Sequence, residues 1–215
     1  MKEIERIWTS LITEHPSLVS VLGDLQAAYR LLLTCFEAGG KLLIGGNGGS
    51  ACDAEHIAGE LMKGFMLPRP LTQNEKEALK RVGDEGAIGA SLQRAVPVIV
   101  LHGLPGMSSA FLNDVQAEFT YAQQTFAYAT SKDVLLGIST SGNAGNVCAA
   151  AIAARARGAK VIGLTGEGGG RLATLADVCI KAPTTQTYRV QELHLPLYHA
   201  LCMALEQALF GGEQA

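Results

Sequence analysis

Two residues four apart could do chemistry in this chain: His56 and Glu60, in the segment His-Ile-Ala-Gly-Glu. On a helix that spacing puts both on one face, about 6 Å apart along the axis. An imidazole beside a carboxylate can move protons or hold a metal ion. The order of residues is not the HExxH of zinc proteases. Such a pair on its own is most often a surface ion pair, but this one begins six residues after a glycine-rich turn. Near the C-terminus Gln191, Glu192, His194 and His199 lie in an otherwise apolar helical run. Histidines in such a run are more often core or interface residues than ligands. Even so, three of the five histidines fall in these two helical stretches.

Two turns could hold an anion. The first is Gly45-Gly46-Asn47-Gly48-Gly49-Ser50, where glycines let the backbone approach a ligand and the following helix adds partial positive charge. Gly46-x-Gly48-x-x-Ala51 also matches a dinucleotide fingerprint. A dinucleotide site needs an acidic residue at the end of the second strand, and here that strand ends Leu101-His102-Gly103. The second turn is Ser139-Thr140-Ser141-Gly142-Asn143. Three consecutive hydroxyls exceed what one helix cap requires. Without a Walker lysine the turn suits a phosphate monoester better than a nucleoside triphosphate.

The elements that must position these residues alternate along the chain. Short apolar runs at Lys41–Gly45, Val96–Leu101, Asp133–Ile138, Lys160–Leu164 and Asp177–Ile180 read as buried strands. Helical patterns cover Ile4–Ala38, Cys52–Gly64, Asn113–Ala129, Gly145–Arg157, Arg171–Leu175 and Arg189–Leu209. Continuous apolar strands between helices predict an α/β fold: a three-layer sandwich with a five-stranded parallel sheet flanked by helices. In such sheets ligands bind beyond the carboxyl ends of the strands, where both turns lie. The mixed-charge stretch Met66–Arg94 opens with LPRP and reads as an inserted lid or arm on a single domain spanning residues 1–215.

Of 215 residues, 48% are hydrophobic and 17% charged, enough for one sizeable core. The low charge and a mean hydropathy of +0.20 suggest apolar surface hidden between subunits, with the helices of residues 1–40 used in assembly. A net charge of −3 without a basic run gives no electrostatic support for nucleic-acid binding. The start, MKEIERIWTS, is no signal peptide, and the longest apolar stretches fall short of the roughly 20 residues of a membrane span. Cys35, Cys52, Cys148, Cys179 and Cys202 sit in apolar runs without CxxC spacing, as reduced core residues of a cytoplasmic protein would.

The segments GGNGGSACDAEHIAGEL, DVLLGISTSGNAGNV, KVIGLTGEGGG and RVQELHLPLYH together resemble the phosphoheptose isomerases, sedoheptulose 7-phosphate isomerases of the sugar isomerase (SIS) domain class, from about Ala27 to Leu209 apart from the Met66–Arg94 stretch. The resemblance implies a flavodoxin-like SIS fold. It implies phosphate binding by Ser50, Ser139, Thr140 and Ser141 and contacts to substrate from Asn47, Gly48, Asn113, Asp114, Asn143 and Gln191. It makes Glu60 and His199 the acid–base pair, and His56, Glu60, Gln191 and His199 the ligands of one zinc ion. Nitrogen and oxygen donors suit zinc. It also implies a homotetramer.

Three departures from the family pattern stand out. Ala144 replaces a common serine, Pro196 interrupts the last helix, and no basic residue is cleanly matched after Glu60, where Lys63 and Gly64 stand. Gln191 and His199 are eight residues apart, about 12 Å along a helix and about 80° around it. Two ligands of one zinc must each approach it to about 2 Å. That spacing predicts that the two come from different subunits, with the active site at an interface.

The expected activity is interconversion of an aldose and a ketose phosphate through an enediol. A non-catalytic SIS-domain regulator that binds a phosphosugar, or an adaptor for a partner protein, is the competing reading. Such relatives keep the turns and tend to lose the acid–base residues. An isomerase or deaminase acting on another sugar phosphate, such as an amino sugar, is a third.

Overall fold

The computed structural model describes residues 2–212. Met1 and residues 213–215, which the single-domain reading 1–215 includes, lie outside the described residues. Five parallel strands form one sheet: β1 (Leu42–Gly45), β2 (Val98–Val100), β3 (Val134–Ser139), β4 (Lys160–Gly166) and β5 (Val178–Ala182). Their spatial order is β2-β1-β3-β4-β5. The register sets Leu43 beside both Ile99 and Leu135. Helices cover both faces because the inner strands β1 and β3 are buried on both sides, as the continuous runs predicted.

Alternate side chains build the two interiors. Leu42, Ile44, Val134, Leu136, Ile138 and Ile162 face one layer. That layer holds α1 (Lys2–Glu14), α2 (Leu22–Glu37), α3 (Gly49–Met62) and the long α10 (Thr187–Phe210). Leu43, Leu135 and Val161 face the other layer, built from α7 (Thr120–Tyr128), α8 (Gly145–Ala156) and α9 (Gly170–Leu175). The three-layer sandwich is therefore present as expected.

Several expected elements differ in detail. The long N-terminal helical region is split by a 3₁₀ turn over Pro16–Val21, because Pro16 ends one run and starts the next. The run Pro16–Glu37 is long and apolar enough by length and composition to cross a membrane, which corrects the expectation that every apolar stretch falls short. Its stripe Leu25, Ala28, Leu32 and Cys35 is buried in the core layer. The predicted helix Asn113–Ala129 is broken. After α6 (Pro105–Phe111) come a π-helical turn over Leu112–Gln116 and a 3₁₀ turn over Ala117–Phe119. The extended backbone of Gln116, at φ −160° and ψ 120°, interrupts the ladder. Of the cysteines, Cys35, Cys148 and Cys202 are buried and Cys179 is partly so. Cys52 is exposed on α3 and is not the core residue it was expected to be.

The inserted stretch holds two short helices, α4 (Gln73–Arg81) and α5 (Ala87–Ser91). Thr72 and Glu75 form a reciprocal capping box at the start of α4. Its root is not a loose hinge. The Glu206 carboxylate accepts from the backbone N–H groups of Phe65, Met66 and Leu67 at 2.8, 2.7 and 3.1 Å, and from Arg69 Nε at 2.7 Å. Arg69 in turn donates to the Leu61 and Glu60 carbonyls at 2.8 and 3.0 Å. The Arg69 and Glu206 side chains are both buried. Residues 65–69 thus belong to the core and close the C-terminal end of α3, so an independent arm cannot begin before Pro70.

Candidate active site

The strand order reverses between β1 and β3, and a ligand crevice opens at such a switch point. Both predicted turns lie there. They are tied together by a reciprocal amide pair: Asn47 Nδ2 donates to Asn146 Oδ1 at 2.9 Å, and Asn146 Nδ2 donates to Asn47 Oδ1 at 2.8 Å. Tyr121 pins the first turn from below, donating from its hydroxyl to the Gly46 carbonyl at 2.7 Å. Gly48, with φ +55°, occupies the helix-entry position of α3 and supplies a backbone conformation other residues avoid. No side chain caps α3 at Gly48, and none caps α8 at Ala144. Two helix N-termini without a cap side chain thus flank one crevice, and their partial positive charge suits an anion. The serine missing at Ala144 would have been a natural cap for the second.

Within the second turn, Ser139 is buried and its Oγ accepts from the Ala144 N–H at 3.4 Å. Ser141 is exposed and its Oγ accepts from the Asn143 N–H at 3.2 Å. Thr140 lies between them, partly exposed. Asn143 is committed to structure. Its Nδ2 donates to the Ser141 carbonyl at 3.1 Å, and its Oδ1 accepts from the Arg171 N–H at 2.9 Å, anchoring α9. Ser50 is buried at the start of α3. Asn113 and Asp114 are exposed on the π-helical turn and bond to each other at 2.8 Å. Among the described residues neither bonds to the cluster below.

α3 carries His56 and Glu60 side by side, with Nε2 to Oε1 at 3.2 Å. α10 packs alongside α3 and brings His199 to the same place, its Nε2 3.4 Å from His56 Nε2. Glu60 and His199 thus meet His56 within one chain. α10 runs along α3, so each of its residues meets a different turn of that helix, and Gln191 and His199 of one chain do not reach a common point. Gln191 is set against Gly49, where any β-carbon would collide with its amide. That is seven residues, about 10 Å of rise, before His56. The structure therefore joins three of the four expected ligands and leaves Gln191 at the glycine turn. α10 remains helical through Pro196.

Electrostatics single out the cluster. Desolvation, and to a lesser degree the neighbouring His56, lower the pKa of His199, with Glu60 opposing. Lys63 Nζ lies 3.4 Å from Glu60 Oε2, so a basic residue does stand beside the carboxylate after all. The Phe65 ring tilts over His199 with centroids 5.5 Å apart.

Two polar residues here escape a reading by sequence: Tyr198 and Asp53. The Tyr198 hydroxyl lies 3.1 Å from His56 Nδ1 and donates to Asp53 Oδ1 at 3.3 Å. Burial, and then the Asp53 charge, raise the pKa of Tyr198. Asp53 has a signal, since it lies three residues before His56 on the same helix face. Tyr198 has none, because its partner is supplied by a different helix.

The separations of 3.2 and 3.4 Å match the edges of a tetrahedron of donors about 2.0–2.1 Å from a zinc ion. His56, Glu60 and His199 are chemically fit to hold one. Among the described residues, however, no three His, Cys, Asp or Glu side chains form a closed metal-ready group.

Comparison with known proteins adds the family. The SIS domain family model matches residues 108–208. The chain is 37% identical over 206 residues to the phosphoheptose isomerase of Leptospira biflexa, covering 96% of this chain and 94% of the relative. It is 34% identical to that of Alkalilimnicola ehrlichii, covering 97% and 96%. The solved phosphoheptose isomerase of Neisseria gonorrhoeae superposes with a TM-score of 0.71 at 30% identity, covering 95% of this chain and 98% of that one. Sequence likeness at this level over nearly the full length, with the same fold in a solved member, places the chain in the phosphoheptose isomerase family.

Proposed function

We propose that the protein isomerises sedoheptulose 7-phosphate to a glycero-manno-heptose 7-phosphate. The observation that carries this is the convergence of Glu60, His56 and His199 on the helix that leaves the glycine turn. The same three side chains also weigh against a non-catalytic phosphosugar-binding regulator or adaptor.

Phosphate would be held at the N-termini of α3 and α8 together with Ser50, Ser139, Thr140 and Ser141, with Asn47, Gly48, Asn143 and Gln191 along the substrate's path. Anchoring the far end of the sugar confines its carbonyl end near Glu60. Glu60 removes a proton from C1. The C1–H electrons form the C1–C2 double bond and the carbonyl oxygen O2 takes a proton, giving the enediol. The O1–H proton then leaves, the C1–O1 double bond forms, and the proton returns to C2. His199, whose charged form burial disfavours, donates to the oxygen that gains negative charge.

Zinc, held by His56, Glu60 and His199, would supply Lewis-acid stabilisation of that oxygen. A groove of about 590 Å³ runs between α1 and α10, lined by Ile7, Leu195, Ala200 and Met203, with His199 in its wall. It supports a homo-oligomer in which a second copy covers the site, and the family points to a tetramer. Five free cysteines, one of them exposed, support a reducing, cytoplasmic setting.

The test is to incubate the pure protein with ketose 7-, 6- and 5-phosphates and follow aldose formation. Preference for the seven-carbon substrate supports the reading, and turnover of none of them overturns it.

A further inference from the structure

We infer that Tyr198 and Asp53 are positioning residues that hold His56 in its Nδ1–H tautomer and so keep its Nε2 lone pair turned toward Glu60 and His199. For its role in function this rests on the reading of His56 as part of the active site; the tautomer itself does not depend on it.

The geometry leaves few choices. Tyr198 has one proton and two partners: Asp53 Oδ1 at 3.3 Å and His56 Nδ1 at 3.1 Å. A carboxylate can only accept. Asp53 has no other donor among the described residues, and its Oδ2 is buried with no partner at all. Turning the tyrosine proton toward His56 would strip a half-buried carboxylate of its one hydrogen bond. The Nδ1–H form gives up a bond from Nε2 to Glu60 at 3.2 Å, but Glu60 has Lys63 as another donor and the bare Nε2 accepts from His199 Nε2 at 3.4 Å, whereas Asp53 has no replacement. The proton therefore goes to Asp53, and the tyrosine oxygen, left with lone pairs, accepts from His56 Nδ1–H. Tyr198 is 2% exposed, so water cannot readily replace it. Its ring also stands edge-on to both histidines, with centroids 5.4 Å from His56 and 5.1 Å from His199.

The consequence lies at the opposite ring nitrogen. An Nε2–H would donate to Glu60 Oε1 at 3.2 Å, occupying the base and blocking the nitrogen as a ligand. With the proton on Nδ1, the Nε2 lone pair, the Glu60 carboxylate and His199 instead surround a point suited to a shared proton or a divalent cation. Carboxylate partners that orient ligating histidines commonly change metal affinity by about 10- to 100-fold. Here the carboxylate would act through a tyrosine.

The experiment uses metal-free full-length protein labelled with ¹⁵N-histidine, observed by long-range ¹H–¹⁵N correlation above the ordinary titration range of imidazole. His56→Gln assigns the signal. The expected wild-type result is Nδ1 protonated and Nε2 bare. Asp53→Ala should swing the tyrosine proton to His56 and convert it to Nε2–H. Tyr198→Phe should release the Nδ1–H preference. Both variants should bind Zn²⁺ about 10- to 100-fold more weakly in a chelator competition. Nε2–H in the wild type, an unchanged tautomer in Asp53→Ala, or wild-type zinc affinity in both variants would each overturn the inference. A wild type that shows the Nδ1–H form yet isomerises no sugar phosphate would sink the proposed function and leave this inference standing.

Discussion

His56 Nε2 and His199 Nε2 face each other at 3.4 Å, although 143 residues of chain separate them. Two ring nitrogens at this distance must share a proton or a cation. If the cation is zinc, binding to the folded chain alone stabilises it by mass action. Adding Zn²⁺ to metal-free protein should raise the melting temperature by several degrees, and His56→Ala should abolish the rise. Equal shifts in both proteins would place the zinc elsewhere.

The phosphate turn makes a second prediction. Ser141 is exposed and bonds only within its own turn, whereas Ser139 is buried and receives the Ala144 N–H. Ser141→Ala should raise KM for a sugar phosphate about tenfold with little change in melting temperature, as expected for loss of a bond to bound substrate. Ser139→Ala should raise KM and also cost about 1 kcal/mol of stability. Unchanged KM in both would remove the turn from the substrate site.

The Arg69–Glu206 pair locks the root of the inserted stretch to α10 and closes the end of α3. Breaking one partner of a buried pair typically costs about 3–5 kcal/mol. Arg69→Met should therefore lower the denaturation midpoint sharply. Excising residues 72–91, beyond this lock, should leave the fold intact and alter substrate preference. Loss of soluble protein on that excision would show that α4 and α5 belong to the core.

His194 is fully buried, donating from Nε2 to the Thr165 carbonyl at 3.2 Å, while its Nδ1 has no partner. Burial lowers its pKa to about 4. Between that value and the ordinary imidazole range, the unfolded chain binds a proton that the folded chain refuses. Stability therefore falls as pH drops through this window, by on the order of 3 kcal/mol in full. His194→Gln should flatten the dependence of the urea midpoint between pH 7 and pH 5.5. An identical slope in the variant would assign the effect to other groups.

Much of this was legible in the residues themselves. Strands such as Leu42–Gly45 and Val134–Ser139 are apolar on both faces and bounded by glycine or serine turns, so the parallel sheet could be read from them. The His56–Glu60 pair was visible because its partners share one helix. What could not be read depends on how α10 lies against α3. That packing sets His199 on His56, places Gln191 on Gly49 and makes Tyr198 a partner of His56, all through contacts more than a hundred residues apart. The Glu206 clasp on residues 65–69 was hidden for the same reason, since a glutamate in a C-terminal helix carries no mark of the backbone it will hold.

In the proposed reaction Glu60 moves a proton between adjacent carbons of a sugar phosphate. The most direct test follows sedoheptulose 7-phosphate by NMR in heavy water with wild-type protein and with Glu60→Gln. The wild type should form the aldose 7-phosphate, with solvent deuterium entering at C2. Glu60→Gln should form it about 10²- to 10⁴-fold more slowly while keeping the wild-type melting temperature. No aldose from the wild type, or an undiminished rate in Glu60→Gln, would rule out Glu60 as the base of this isomerisation.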